Sequence, residues 1–120
     1  MKRLYALAIG ITLFLGVAHT ILTPLFYPAF TIDALWFAGT GLALVFNGLL
    51  NLAAYRARLK WMLDYVIPAN GVLAVYLTAV AAALPEIQAF LAALAVWIMV
   101  LTSIFARLQT NSNPVEPVRG

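Results

Sequence analysis

Four long apolar runs, separated by short stretches that hold nearly all the charge, leave this chain few ways to fold. Its eleven charged residues are Lys2, Arg3, Asp33, Arg56, Arg58, Lys60, Asp64, Glu86, Arg107, Glu116 and Arg119. A bilayer core about 30 Å thick takes roughly 20 helical residues to cross. The runs Leu4–Leu22, Ala34–Ala54, Tyr65–Leu84 and Glu86–Arg107 are each long enough. With 65% hydrophobic residues and a mean hydropathy of +1.00, a 120-residue chain has too little polar surface to dissolve these runs in water. The expected fold is all-α, a polytopic membrane protein built as an up-down bundle of four transmembrane helices. Residues 1–107 form that domain, and residues 108–120, with Asn, Ser and two Pro, read as a disordered cytoplasmic tail. Lys2-Arg3 and the apolar stretch to Gly16-Val17-Ala18 also resemble a secretory leader, but the segment is taken as a retained span.

Short loops rich in Lys and Arg stay on the cytoplasmic side. An even number of spans puts all seven Lys and Arg on one side, with Asp33 and Glu86 opposite. The expected topology has both termini in the cytoplasm. The net charge of +3 is then a mark of topology. No basic patch interleaved with aromatics points to nucleic acid, and nucleic acid is not an expected partner. The absence of Cys removes disulfides, thiolate metal sites and cysteine nucleophiles.

The connections carry their own signals. Thr23–Asp33 contains Pro24 and Pro28 with Phe26, Tyr27 and Phe30, and is expected to lie along the outer surface. Pro85 suits a first helical position and Glu86 the positive end of a helix, so helices three and four are expected to be antiparallel neighbours. The inner loop Tyr55–Asp64 mixes Arg56, Arg58 and Lys60 with Leu59, Trp61 and Met62. Besides setting topology, its three cations are candidates for contact with anionic headgroups, at about 1 kcal/mol each. Pro68 places the start of helix three either there or earlier with a kink.

Polar side chains within spans mark the face turned away from lipid. They fall in stripes at spacings of three and four: Tyr5, Ala8, Thr12, Gly16, His19 and Thr23 in the first helix, and Asp33, Phe37, Thr40, Leu44, Asn47 and Asn51 in the second. Gly41 and Gly48 flank the second stripe and allow close helix approach. Asn70, Ala74, Thr78 and Ala81 continue the pattern in the third helix, and Gln88, Ala92, Ala95, Met99 and Thr102 in the fourth.

Depth sorts these residues into two candidate sites. The outer one holds His19, Thr23 and Asp33; a His–Asp pair can fix a tautomer, accept a proton or hold a polar ligand. The alternative has His19 bonded to a carbonyl or to Thr23, and Asp33 capping helix two. The inner one holds Asn47, Asn51, Asn70 and Thr102, either as glue between helices or as a polar pocket open to the cytoplasmic leaflet. One His without Cys does not make a zinc or haem site, so no cofactor is expected. Trp97, near the middle of helix four, either fills the core or marks a surface for another protein.

The run from His19 through Asp33-Ala-Leu-Trp-Phe-Ala-Gly-Thr-Gly-Leu-Ala to Asn47-Gly-Leu-Leu-Asn51 resembles small four-helix inner-membrane proteins of bacteria whose activity is uncharacterised. The resemblance covers the first two helices and implies a bacterial cytoplasmic membrane. Small multidrug exporters share the helix count, but their helix-one carboxylate has no counterpart in Leu4–Leu22. Dual-topology fluoride channels also have four helices, but their Gly-Arg signature is absent.

Three functions follow as expectations. The first is an accessory or interaction subunit, packed in a larger membrane complex or as a homo-oligomer, with membrane lipid as its other partner. The second is a binder or carrier of a small ligand or lipid through one of the two polar regions. The third is an enzyme with His19 as base, the weakest because no second acid, metal or nucleophile accompanies it.

Overall fold

The computed structural model describes residues 1–112 and is all-helical over them, with four helices joined by short connectors. They are α1 Lys2–Phe26, α2 Ile32–Ala57, α3 Lys60–Ala83 and α4 Ile87–Ser112. Each is long and apolar enough to cross a membrane. At 1.5 Å per residue they are about 36–39 Å long, longer than the hydrocarbon they would span.

Every helix is longer than its span expected from hydropathy, though α3 ends and α4 begins one residue inside the expected bounds. α1 continues through Pro24 to Phe26, so only Tyr27–Thr31 remains of the expected Thr23–Asp33 connection. A proline in the last turn removes one hydrogen bond from a ladder that is about to end. The inner loop Tyr55–Asp64 shrinks to Arg58 and Leu59, since no Gly or Pro interrupts it. α3 begins at Lys60, well before Pro68, which has no N–H to give the Asp64 carbonyl. α4 begins at Ile87, not at Pro85: the Glu86 carbonyl accepts from the backbone N–H groups of Ala89 and Phe90. Residues 108–112 are helical instead of belonging to a disordered tail, and residues 113–120 lie outside those described.

Two caps differ from expectation or add to it. Thr31, not Asp33, caps α2: its hydroxyl accepts the Ala34 N–H at 3.2 Å, and Asp33 sits in the first turn, where the helix dipole favours an anion. Arg58 ends the same helix in the left-handed conformation, φ 53° and ψ 32°, with its N–H on the Ala54 carbonyl at 3.0 Å.

The helices form two tight hairpins, α1–α2 and α3–α4, that meet mainly through α1 and α4; of the helices adjacent around the bundle, α2 and α3 touch least. Small residues set the closeness of the first hairpin. A Cβ added to Gly16 would stand 2.8 Å from both the Gly41 carbonyl oxygen and the Val45 nitrogen. Between the hairpins, Tyr5, Ala8, Ile9, Leu44, Ala74, Leu77, Val96 and Met99 belong to one buried cluster, with Ala54, Leu63 and Val66 forming a second. Large apolar side chains such as Phe14, Val72 and Leu101 point outward, 72%, 74% and 62% exposed. That is the reverse of a water-soluble bundle and suits a lipid surround. One end of the bundle carries Asp33 and Glu86 and is called the acidic end below. The other carries Lys2, Arg56, Arg58, Lys60 and Arg107 and is called the basic end.

Candidate functional site

Three of the polar residues expected toward the basic half converge on one another. Asn51 and Asn70 pair reciprocally: Asn51 Nδ2 donates to Asn70 Oδ1 at 2.7 Å, and Asn70 Nδ2 donates to Asn51 Oδ1 at 2.9 Å. Asn47 Nδ2 donates to the same Asn70 oxygen at 2.9 Å, while Asn51 Nδ2 also reaches the Asn47 carbonyl at 2.8 Å. Tyr5 brings in α1 by donating its hydroxyl to Asn51 Oδ1 at 2.8 Å. The Asn70 amide brings in α4 through the Met99 carbonyl and Ser103 Oγ, both at 3.3 Å. All four helices are thus tied at one level, and among the described residues no buried side-chain nitrogen or oxygen lacks a partner.

Thr102 bonds to no asparagine side chain and meets the knot only at its margin, donating at 3.4 Å to the Met99 carbonyl that Asn70 also uses. Its hydroxyl donates to the Ile98 carbonyl one turn back at 2.7 Å, and the residue lines a separate cavity at the basic end. Tyr5 and Ser103 take part although neither was among the expected site residues. Tyr5 lay on the polar stripe of α1, which was the available signal; Ser103 lies one residue off the stripe of α4. The asparagines line neither of the cavities at the two ends of the bundle; they are buried against one another, with Asn51 and Asn70 at 0% exposure.

At the acidic end the helices part and leave a cavity of about 270 Å³. α1 contributes His19, α2 Asp33, Trp36 and Phe37, α3 Tyr76, and the α3–α4 connector Glu86. His19 and Asp33 therefore face the same space, as expected, but no hydrogen bond joins them among the described residues. The His19 ring instead lies flat on Phe37, centroids 3.6 Å apart and planes 23° from parallel. Thr23 does not line the cavity: its hydroxyl donates to the His19 carbonyl at 2.9 Å and completes the helix. Tyr27 also lines the cavity and packs against Phe37, centroids 5.2 Å apart.

Trp36 and Tyr76, on either side of the loosely packed α2–α3 seam, are 70% and 44% exposed, so the cavity opens between these two helices. The Thr40 hydroxyl meets Tyr76 Oη across this seam at 3.3 Å. The described lining contains two carboxylates, Asp33 and Glu86, and no Lys or Arg. Gln88 Nε2 donates to the Glu86 carboxylate and holds it. No group of three or more His, Cys, Asp or Glu able to hold a metal occurs among the described residues. The geometry offers aromatic faces, negative charge and one imidazole around a space open to the side of the bundle. Such a surface suits a molecule with an apolar body and a cationic head.

The expected headgroup residues Arg56, Arg58 and Lys60 are all exposed at the basic end. Arg58 alone of the three lines a cavity there. Trp97 is 41% exposed, and its indole N–H donates to Thr78 Oγ1 on α3 at 2.9 Å. Comparison with protein-family models, curated proteins and solved structures finds no match to this chain.

Proposed function

We propose that the chain is a multi-pass protein of the bacterial cytoplasmic membrane, with both termini in the cytoplasm, that binds a small amphipathic cation in the acidic-end cavity. The observation that carries the proposal is the lining of that cavity. Two carboxylates stand beside Trp36, Phe37 and Tyr76 with no Lys or Arg in the described lining and His19 as its one basic side chain, in a space lined from all four helices. A cation over an aromatic face gains about 0.5–2 kcal/mol, more as water is excluded. The opening between α2 and α3 would admit such a molecule from the outer leaflet, with its apolar part still in hydrocarbon. The all-on-one-side distribution of Lys and Arg supports the orientation, and the resemblance of the first two helices supports the membrane.

The test is a titration of the detergent-solubilised protein with benzyltrimethylammonium and with its neutral carbon isostere. Trp36 fluorescence reports binding once Trp61 and Trp97 are replaced by Phe. The expected result is preference for the cation, weakened about tenfold, or ~1.4 kcal/mol, by Asp33→Asn with Glu86→Gln. Equal affinity for the two probes would remove the charge from the proposal. Binding of neither would remove the ligand.

One observation favours the second reading, an accessory subunit. Trp97 presents an exposed indole in mid-helix with its N–H already satisfied by Thr78, which leaves an apolar face for another protein. Recovery of the chain only with other subunits in fixed stoichiometry would support it.

A further inference from the structure

The basic end holds a second cavity, of about 310 Å³, whose chemistry is the inverse of the first. Lys2 from α1 and Arg58 from the α2–α3 turn stand at its edge, and no Asp or Glu is among its described lining. Tyr5, Tyr55 and Thr110 add polar groups, and Leu63 and Phe105 add apolar surface. The floor is firm. Tyr5 is tied through its hydroxyl to Asn51 in the asparagine knot and stands edge-on to Tyr55, centroids 5.7 Å apart.

Arg58 supplies an independent observation. It is the one non-glycine residue with positive φ among those described, at a helix end where glycine is the usual occupant. Holding an arginine there is strained, and strain kept at a cavity edge is characteristic of binding sites. Its neighbours Arg56 and Lys60 are in ordinary helical positions, exposed, and outside the cavity lining.

We infer that this cavity seats the phosphate headgroup of one anionic phospholipid, with Lys2 and Arg58 as its cationic partners and the acyl chains lying against the outside of the bundle. The charge of the lining selects the phosphate. The apolar residues beside it and the surrounding apolar exterior select a lipid over a soluble phosphate. The inference does not depend on the acidic-end ligand.

The test compares the purified full chain in phosphatidylcholine nanodiscs with and without phosphatidylglycerol. Thermal unfolding and retention of lipid in native mass spectrometry are the readouts. Phosphatidylglycerol is expected to be retained and to stabilise. Lys2→Gln and Arg58→Gly should each weaken that retention about fivefold, whereas Arg56→Gln and Lys60→Gln should leave it unchanged. Arg58→Gly keeps the experiment decisive, because glycine suits the left-handed cap: it should match or exceed the native chain in phosphatidylcholine alone while losing the lipid preference. Equal weakening by all four substitutions would overturn the inference in favour of a diffuse basic surface. Retention of the preference in both Lys2→Gln and Arg58→Gly would also overturn it. Inorganic phosphate that displaces phosphatidylglycerol and stabilises the chain without lipid would overturn the lipid assignment and identify a soluble anion as the occupant.

Discussion

Asn70 is the residue on which the bundle interior turns. Its one side chain accepts from two asparagines on α2 and donates to α2 and α4. Bonds of this kind average only about 0.6 kcal/mol in membranes, but these share one side chain, so its loss removes them together. Asn70→Ala should therefore destabilise the chain by about 3 kcal/mol in mixed-micelle unfolding. Tyr5→Phe removes a single donor and should lower stability by only about 1 kcal/mol. Asn70→Asp should be at least as damaging as alanine at neutral pH, because a carboxylate cannot donate to Met99 or Ser103 and its charge would be buried. The three asparagines were legible as a group because helical spacing put them on inward faces at matching depth. Which atoms pair was not legible, since that depends on a few tenths of an ångström in helix rotation.

At the scale of the helix, glycine position decides how closely two elements approach. Gly16 lies on α1 directly against the α2 backbone at Gly41 and Val45, where neither side can yield by rotating a side chain. Gly16→Ala should push the helices apart and cost about 1–3 kcal/mol, read as a lowered unfolding midpoint. Gly10→Ala, with nothing within 4 Å of the new methyl, should be neutral or stabilising by up to ~1 kcal/mol. The hairpin α3–α4 is tied at its basic end by Arg107 Nε to Asp64 Oδ1 at 2.7 Å. The pair is partly exposed, so Asp64→Asn should change stability by less than about 1 kcal/mol. The existence of four helices was legible in the hydropathy of the chain. Their ends were not, because Pro24 and Pro68 suggest breaks that a helix near its terminus or supported by neighbours tolerates.

For the whole molecule, the decisive property is polarity from end to end. One cavity is lined by carboxylates and aromatics, the other by cations, and the hydrogen-bonded asparagine knot lies between them. The three asparagines line neither cavity, so the two are expected to load independently. Asn51→Leu should lower stability yet leave the benzyltrimethylammonium affinity of the folded fraction within about twofold. A larger loss would mean that the interior and the acidic cavity move as one unit.

The amino-acid sequence alone determined the number of helices and the division of charge between the two ends. Those properties depend on the length and polarity of segments, which are local. It also put His19 and Asp33 near a common space and Asn47, Asn51 and Asn70 on inward faces, since helical periodicity carries that much. Tertiary structure decided the rest: that His19 stacks on Phe37 instead of pairing with Asp33, that Thr102 bonds to backbone carbonyls and to no asparagine side chain, and that Tyr5 and Ser103 join them. It also decided where the space lies. Each cavity is lined from several helices, and neither is a property of any one segment. Such features come from how the helices lean on one another, which small steric contacts such as Gly16 against Gly41 set.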